Sequence, residues 1–383
     1  AKIDQSRLRC DLPLRGKAKR TRATTTWVHS GAQMVLDVGN EPPVIDLSLL
    51  KKGEPQRESE VVQLIAEAAS RWGFFQVVNH GVDVDLIKDF DRATADFFAL
   101  DKEEKYKVRR TSDNSRGYFD DELTKQTRDW KEAFDVGSQG GSLDAVSKVD
   151  GFNQWPEAPS DFEPLVRDYF TAVTDLSMRL LGVLAVGLDQ PATFFDHHRA
   201  EHSSYLRLNH YPPCPSPVGA EYGLGSPGED EGFLAVNRHT DAGLLTVLRQ
   251  KASEPNSLQV YMSEDLARSL PDSDAVPGRW VTVSPVEGAF TINVGDMMQV
   301  LSNDRYRAPL HRVLAHRERH RYSAPFFFNP PYAVDCTPMP SLGQPVYSVV
   351  NWGEFRRRRF EGDFADQGEE VQISQYRAAP VQR

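Results

Sequence analysis

The stretch NRHTDAGLLTVLRQ, residues 237–250, places a histidine and an aspartate two positions apart in front of an apolar run. Alternate side chains of a β-strand share a face, so His239 and Asp241 are predicted to point the same way while Thr240 points away. An imidazole and a carboxylate on one face can bind one metal ion. An HxD pair is also common as two polar residues that close a strand, and the pair alone leaves both interpretations open.

From about residue 200 the sequence around this stretch consists of short β-rich segments separated by Gly, Pro, Asn and Asp. These segments are SYLRLNHY, FLAVNRH, LLTVLRQ, LQVYM, RWVTV, AFTIN, MMQVL, HRVLAH and RYSAPFFF. Short strands at such regular spacing predict an all-β sandwich, jelly roll or barrel.

The first half of the chain has a different pattern. Apolar residues recur at helical spacing from Val61 to Trp72 and from Leu86 to Phe97, and the β-rich run GFFQVVNHG (73–81) lies between these two predicted helices. The polar stretch 101–160 predicts a charged helix followed by loops, and a long helix is predicted from Phe162 to Leu184. The change of pattern near residue 200 is interpreted as a junction inside one compact unit.

Composition narrows the class of protein. The chain has 383 residues and a formal net charge of −10, which argues against general affinity for nucleic acid or an anionic membrane surface. It has no apolar run near the ~18 residues of a transmembrane helix, so no membrane span is predicted. The three cysteines are scattered, which indicates a reducing compartment and a cytoplasmic location.

The N-terminus is the exception to the acidic character of the chain. Residues 1–35 contain eight Lys or Arg against two Asp. An Arg-rich, acid-poor segment is typical of the remnant of an organelle transit peptide, and it is equally typical of a flexible basic tail. Both interpretations stay open.

A metal site needs a further ligand beside the HxD pair. The best placed of the other histidines is His311, in APLHRVLAH, because a jelly roll brings such distant strands together at its mouth. Two histidines and one carboxylate on one octahedral face leave the opposite face open, which is the arrangement of non-haem iron(II) oxygenases. His239, Asp241 and His311 are therefore the candidate ligands.

A second group of residues is suited to binding an anion. Arg321 and Ser323 share one face of the predicted strand RYSAPFFF, and a guanidinium with a neighbouring hydroxyl fits a buried dicarboxylate. Asn209 and Tyr211 share a face of another predicted strand, where the Tyr211 hydroxyl could complete the pocket. Taken alone, Arg321 is equally compatible with a surface salt bridge.

Five motifs together closely resemble the isopenicillin N synthase-like branch of the iron(II) and 2-oxoglutarate-dependent dioxygenases, over residues 42–375. They are WGFFQVVNHG, NHYPPCP, HTD, GDMMQVLSNDRYRAPLHRV and RYSAPFFFNP. The resemblance implies a mainly β fold with flanking helices: an unmatched basic tail (1–40), a helical N-terminal region (41–200), a double-stranded β-helix or jelly-roll core (201–335), and a C-terminal segment (336–383) with a helix near the active-site mouth.

By position, the resemblance matches His239, Asp241 and His311 to the iron ligands, and Arg321 and Ser323 to the pair that holds the distal carboxylate of 2-oxoglutarate. The resemblance also matches Asn209 and Tyr211 to the supporting strand of that pocket. The implied reaction uses Fe(II), O2 and 2-oxoglutarate, with ascorbate as an added reductant. A small molecule is oxidised while succinate and CO2 are released.

Several outcomes remain open at this stage. Members of the family hydroxylate, desaturate or close rings, and related oxidases of the same fold keep the metal triad without using 2-oxoglutarate. An inactive jelly-roll binding module is the alternative from a different class. The expected partner is a small-molecule substrate, and Arg207 favours one that bears a carboxylate. No nucleic acid and no membrane are expected as partners, and the protein is expected to be a monomer.

The substrate site is expected to draw on the segment RGYFDDELTKQTRDWKEAF (116–134), the strands that face the iron, and the C-terminal region. The candidates are Tyr118, Phe119, Trp130, Lys131, Arg207 and Phe328. Core packing is the alternative for the aromatic residues, and Arg207 is the candidate that favours a carboxylate-bearing substrate.

Two features depart from simple expectations. The segment around 261–279 is longer than the turn usual in the family and is interpreted as a surface insertion, with an overhang of the active-site mouth as the alternative. The run RRRR (356–359) lies on a predicted helix near Glu354 and is interpreted as a solvated face, with anion recruitment as the alternative.

Overall fold

The computed structural model describes residues 41–50, 55–125, 127–138, 149–228, 230–264, 278–364 and 371–378. The predicted basic tail (1–40) and residues 265–277 of the predicted insertion lie outside these ranges.

The helices of the described chain occur mainly in its first half and near its C-terminus. They are α1 (Pro55–Arg71), α2 (Val84–Phe98), α3 (Lys102–Tyr106), α4 (Phe162–Val186), α5 (Asp296–Leu301) and α6 (Trp352–Arg359). Short 3-10 turns lie at Leu47–Leu49, Asp196–His198, Pro340–Leu342 and Ile373–Tyr376, and a π-helical turn at Phe360–Phe364 follows α6.

The strands fall into two principal sheets and two small hairpin-like pairs. They are β1 (Val44–Asp46), β2 (Phe74–Val78), β3 (Gly117–Phe119), β4 (Leu123–Thr124), β5 (Thr127–Arg128), β6 (Glu132–Gly137), β7 (Tyr205–Tyr211), β8 (Leu234–His239), β9 (Leu245–Gln250), β10 (Leu258–Met262), β11 (Arg279–Thr282), β12 (Phe290–Val294), β13 (His311–Leu314), β14 (Arg321–Phe328), β15 (Asp335–Cys336) and β16 (Val350–Asn351).

The core is a jelly roll, as the family resemblance implies. One sheet has eight strands in the order β1-β2-β12-β9-β14-β7-β6-β3, and the other has four in the order β11-β10-β13-β8. Adjacent strands of the core run antiparallel, whereas β1 and β2 at the edge of the large sheet run parallel. The inner faces of the two sheets enclose the cavity described below.

The N-terminal half supplies strands as well as helices. β2 lies between β1 and β12 in the large sheet, and its run FFQVV is almost wholly buried. The stretch 101–160, which the sequence predicts as a helix followed by loops, begins with α3 but also contains β3, β4, β5 and β6. Three of these strands have only two or three residues, too few for an alternating pattern to be visible in the sequence.

The predicted strand MMQVL is a helix, α5. Met297, Met298 and Val300 are all buried, so packing on both sides removes the periodicity that separates a helix from a strand in so short an apolar run. The first turn is held to the HTD segment, since the Asp296 N–H donates to the Asp241 carbonyl at 2.7 Å. The other eight β-rich segments named above form strands.

Helix α4 is the one element of the described chain that is long and apolar enough to cross a membrane by length and composition. It packs against α1, α2, β9 and β14, and 56% of its most apolar window is buried in the protein. Phe162, Val166, Tyr169, Val173 and Leu180 on its inner stripe are fully buried. Packing in the core therefore accounts for its apolar character.

Two glycines permit the close backbone approach that places the HTD segment. A Cβ on Gly295 would lie 2.2 Å from the Gly243 carbonyl oxygen and 3.1 Å from that of Asp241. A Cβ on Gly243 would lie 1.9 Å from Asn329 Oδ1. Any larger residue at position 295 must push the two segments apart.

We expect Gly295→Ala to lower the free energy of unfolding by about 1–3 kcal/mol, because the added methyl group overlaps backbone atoms that have no room to move. Urea denaturation of the full chain measures the change. Gly223→Ala is the matched control, since a Cβ at that position meets nothing within 4 Å. Equal stability of the two variants would contradict the steric explanation.

Candidate metal centre and anion pocket

Three side chains predicted as metal ligands converge at one point. Strands β8 and β13 are antiparallel, and their register places His239 opposite His311. Asp241 Oδ1 lies 3.6 Å from His239 Nε2 and 3.7 Å from His311 Nε2. The donor atoms all lie within 4.8 Å of one another, which is close enough for one ion to contact all three.

The position of Asp241 does not come from strand alternation. Strand β8 ends at His239, so Thr240 and Asp241 lie in the loop that follows it. The carboxylate is held instead by its own bonds: Oδ2 accepts from Thr246 Oγ1 at 2.5 Å and from Asn293 Nδ2 at 2.7 Å. Oδ1 is thereby directed toward the two imidazoles.

Hydrogen bonds to the backbone orient both imidazoles. His239 Nδ1 lies 2.8 Å from the Asn237 carbonyl oxygen, and His311 Nδ1 lies 3.0 Å from that of Pro309. Because a carbonyl only accepts, each Nδ1 carries the proton and each Nε2 presents a lone pair. Both lone pairs are on the side of Asp241.

The protonation states of Asp241 and His311 at neutral pH also suit metal binding. Burial by itself raises the pKa of Asp241, but the adjacent His311 and His239 and the Asn293 amide hold that pKa well below its ordinary value. Burial lowers the pKa of His311 to about 4. The carboxylate is therefore ionised and His311 is neutral, as metal ligands must be.

The predicted anion-binding residues lie on two neighbouring strands. The register of β14 against β7 pairs Arg321 with Tyr211 and Ser323 with Asn209. Ser323 Oγ lies 3.1 Å from the Tyr211 hydroxyl and 3.4 Å from Asn209 Nδ2. All four residues are buried and line one cavity.

Hydrogen-bonding capacity remains unused in this pocket. Arg321 Nη2 donates to Gln250 Oε1 at 2.9 Å, whereas its buried Nη1 has no partner among the described residues. A buried guanidinium nitrogen without an acceptor is costly unless a ligand supplies one. The arrangement therefore fits an anion that enters the cavity beside Arg321.

The metal ligands and Arg321 open into the same cavity. Of the six residues predicted for the substrate site, Lys131 and Arg207 line it. Each is engaged with carboxylates behind the wall: Lys131 Nζ lies 2.8 Å from Glu122 and 2.9 Å from Asp129. Arg207 binds Asp135 through two nitrogens, both at 2.8 Å, and also contacts Glu122 at 2.8 Å.

The four aromatic candidates are not among the residues that line the cavity; Tyr118, Phe119 and Phe328 are buried and Trp130 is half-buried, as the core-packing alternative predicts. Tyr118 is 1% exposed and donates its hydroxyl to Glu132, and Phe119 lies beneath the guanidinium of Arg110. The Trp130 ring packs against Phe233 and its Nε1 donates to the Pro212 carbonyl.

Phe328 points away from the cavity for a simple geometric reason. Arg321, Ser323, Pro325 and Phe327 line it, and residues an odd number of positions from these face the other side of strand β14. The Phe328 ring is fully buried and stacks on His202.

The solvated-face interpretation of the RRRR run holds for only part of it. Arg358 is exposed, as a solvated face predicts, but Arg359 is 1% exposed and both Arg356 and Arg359 line the cavity. Together with Trp352 they occupy positions four and seven residues apart, which share one face of α6. Applying that spacing to the predicted helix would have separated the inward arginines from Arg358.

Arg359 connects this helix to the metal centre. Its Nη2 donates to the Thr240 carbonyl at 2.9 Å, and its Nη1 forms an ion pair of 3.0 Å with Asp296. Thr240 stands between two of the metal ligands, and Asp296 is the first residue of α5. Burial raises the pKa of Asp296 to about 6, although Arg359 opposes the shift.

Two family models match the chain. Residues 42–158 match the N-terminal region described as that of the non-haem dioxygenase in morphine synthesis, and residues 202–330 match the 2OG-Fe(II) oxygenase superfamily. The second match contains the candidate ligands and the anion-binding arginine.

Curated relatives share about a third of their residues with the chain. The homoarginine-6-hydroxylase 2-ODD-C23.1 of Arabidopsis thaliana is 35% identical over 300 residues, which is 75% of this chain and 83% of the relative. Gibberellin 2-beta-dioxygenase 4 of Arabidopsis thaliana is 31% identical over 339 residues, covering 86% of this chain and 94% of the relative.

Solved structures share the fold. The crystal structure of JOX2 in complex with 2OG, Fe and JA has a TM-score of 0.68 at 25% identity, covering 88% of this chain and 90% of that chain. The dioxygenase for auxin oxidation from rice has a TM-score of 0.66 at 25% identity, covering 88% and 100%.

We expect Thr246→Val to weaken metal binding by about 10- to 100-fold, because the nearly isosteric change removes a bond that orients Asp241. Anaerobic titration with Fe(II), or with Mn(II) as a stand-in, measures the dissociation constant. Thr282→Val is the control, since the Thr282 hydroxyl contacts Gln259 on the small sheet. Unchanged affinity in Thr246→Val would show that Asn293 suffices to hold the carboxylate.

Arg359→Met should lower the free energy of unfolding by about 3–5 kcal/mol, because it leaves the Asp296 carboxylate buried without its ion-pair partner. The double variant Arg359→Met/Asp296→Leu removes both charges and should recover part of that loss. Guanidinium denaturation of the two variants makes the comparison. If the double variant is no more stable, the buried pair is not the source of the effect.

Proposed function

This chain belongs to the 2OG-Fe(II) oxygenase superfamily, and on that basis we propose that His239, Asp241 and His311 bind the iron while Arg321 and Ser323 hold the distal carboxylate of 2-oxoglutarate. The protein is an Fe(II)- and 2-oxoglutarate-dependent oxidoreductase. The observation that carries the assignment of residues is the convergence of the three donor atoms within 4.8 Å in the cavity that Arg321 lines.

The donor set fits iron(II). Two neutral imidazole nitrogens and one carboxylate oxygen on a single face are the ligands typical of non-haem Fe(II) oxygenases, and they leave positions for other molecules. The polar atom of each side chain that does not face the metal point already has a hydrogen-bond partner. Nδ1 of each histidine bonds to a backbone carbonyl, and Asp241 Oδ2 accepts from Thr246 and Asn293. Such partners fix the ligand orientation that a metal requires.

The pocket beside Arg321 fits the far end of 2-oxoglutarate. A carboxylate there would accept from the unpartnered Nη1 of Arg321 and from the Ser323 hydroxyl, in charge-assisted bonds. Tyr211 supports Ser323 and its ring packs against the guanidinium at 4.8 Å from the ring centroid. The cavity wall thereby positions the cosubstrate and keeps water from it.

When bound, the iron with 2-oxoglutarate and O2 supplies the oxidising chemistry, in which 2-oxoglutarate becomes succinate and CO2. The residues of this chain bind and orient. Asp241 and the histidines hold their lone pairs toward one point, and Arg321 sets the direction from which the cosubstrate approaches. The same arrangement serves hydroxylation, desaturation and ring closure, since each begins with removal of a hydrogen from the substrate.

The substrate is a small molecule, and we propose that it carries a carboxylate. Five cationic side chains line the cavity, whereas Asp241 is the one carboxylate among the lining residues of the described chain. Three of these cations are paired with carboxylates behind the wall, but Arg321 and Arg356 have no carboxylate partner among the described residues. Their positive charge favours an anionic substrate over a neutral or cationic one. Among structural neighbours, JOX2 is described in complex with 2OG, Fe and JA.

Arg321→Leu should raise the KM for 2-oxoglutarate by about 30-fold or more, because a desolvated carboxylate left unpaired costs about 2–5 kcal/mol. The assay follows succinate release against 2-oxoglutarate concentration. Arg319→Leu is the charge-matched control on the exposed segment just before the strand. An unaltered KM in the first variant would mean that the cosubstrate binds elsewhere.

The two alternative functions give different results in the same preparation. An oxidase of this fold that does not use 2-oxoglutarate would form product without succinate, so the molar ratio of product to succinate separates the two reactions. An inactive binding module would purify anaerobically without stoichiometric iron and would not gain it on titration. We expect one iron per chain and equal amounts of succinate and product.

A further inference from the structure

The cationic side chains in the cavity wall differ in whether a carboxylate already neutralises them. Lys131, Arg207 and Arg359 each lie within 3.0 Å of at least one buried carboxylate behind the wall. To bind a substrate anion they would have to give up existing ion pairs in a desolvated setting, which is costly. Their charge is thus already balanced by the protein.

Two of the cationic side chains that line the cavity, Arg321 and Arg356, have no carboxylate partner among the described residues. Arg321 is accounted for by the distal carboxylate of 2-oxoglutarate. Arg356 is half-buried; its Nη2 donates to the Tyr205 hydroxyl at a long 3.4 Å, and its guanidinium carbon lies 5.4 Å from the Tyr205 ring centroid. Its fork of donors therefore remains available to a second anion.

The two unpaired guanidinium groups lie at opposite ends of the cavity floor. That floor is the ladder between β14 and β7, in which Arg321 is paired with Tyr211 at one end and Phe327 with Tyr205 at the other. Phe327 lies six positions after Arg321, which is about 20 Å along a strand. A single molecule of 2-oxoglutarate at Arg321 does not extend to Tyr205 and Arg356.

The cavity lining is mainly apolar. Phe74, Val236, Leu258, Val313, Phe327 and Trp352 contribute to its lining. Val236 and Val313 face each other across the strands that carry the two histidine ligands. A substrate bound here would bury a hydrocarbon body next to the metal ligands.

We propose that Arg356 binds the carboxylate of the primary substrate, and that this substrate is a small organic acid with an apolar body whose reactive C–H group is held toward the metal centre. The proposal rests on the proposed function and deepens it by replacing Arg207 with Arg356 as the specificity-determining cation. Arg207 and Lys131 instead form a neutralised part of the wall.

The test uses 4-phenylbutyrate as a probe acid and its primary amide, 4-phenylbutanamide, as the neutral counterpart. Calorimetric titrations are made on the full chain with Mn(II) and saturating 2-oxoglutarate, so that the Arg321 pocket is filled and no turnover occurs. Wild type should bind the acid more tightly than the amide. Arg356→Gln should weaken binding of the acid by about 10- to 100-fold, which is the range for one charge-assisted interaction. Its affinity for the amide should stay within about twofold of that of wild type.

Two further variants control for shape and for general charge. Arg356→Lys keeps a cation at the site and should retain most of the preference for the acid. Arg358→Gln removes the same charge from the exposed side of the same helix and should behave as wild type.

Several results would overturn the assignment of Arg356. One is that wild type and Arg356→Gln bind the acid with equal affinity. Another is that Arg356→Gln loses affinity for the acid and for the amide by the same factor. A third is that wild type does not bind the acid more tightly than the amide. Titration of 2-oxoglutarate into each Mn(II) protein separates this inference from the proposed function. Normal 2-oxoglutarate binding with any of those results rejects the role of Arg356 alone, whereas no 2-oxoglutarate binding in wild type rejects the proposed function.

Discussion

The antiparallel register of β8 and β13 is the constraint on which the site depends, because it places His239 directly opposite His311. The third ligand does not belong to that pairing. Asp241 lies in a loop that can approach the start of α5 only because Gly295 has no side chain. The Asp296 N–H donates to the Asp241 carbonyl and holds the loop in this position. The metal centre is thus a product of two close approaches, one between strands and one between a loop and a helix.

Charge in the cavity wall serves two different purposes. Buried ion pairs such as those of Lys131 and Arg207 contribute modestly to stability once desolvation is counted, but they fix the wall geometrically. Asp129, which binds Lys131, also accepts from the Asn237 N–H at 3.2 Å, two residues before the first histidine ligand. The neutralised cations therefore support the metal-binding strand, whereas an unneutralised guanidinium such as that of Arg321 is available to bind ligands.

Local periodicity predicted the long helices and most of the short core strands, and residue types that only a few kinds of site use indicated the ligands of the metal centre. The jelly roll, among the β folds that periodicity left open, followed from the resemblance of five motifs to a known family. The sequence predicted MMQVL as a strand because so short a run, with four apolar residues of five, has no periodicity that separates a helix from a strand. It did not distinguish Arg207 from Arg356 because the difference lies in the partners: carboxylates from β6 and the β3–β4 segment approach Arg207 in three dimensions, and no spacing in the sequence records that approach.

The inward face of α6 places a ligand-binding residue and a structural one within a single helical turn. Arg359 is bonded to Thr240, between two metal ligands, while Arg356 faces the cavity three residues earlier. A helix transmits position along one turn with little distortion, since its backbone bonds are internal. A substrate acid held by Arg356 would therefore be placed with respect to the iron by the same short element that secures the HTD loop. Selectivity for which carbon is oxidised would then depend on the distance between the carboxylate and that carbon in the substrate.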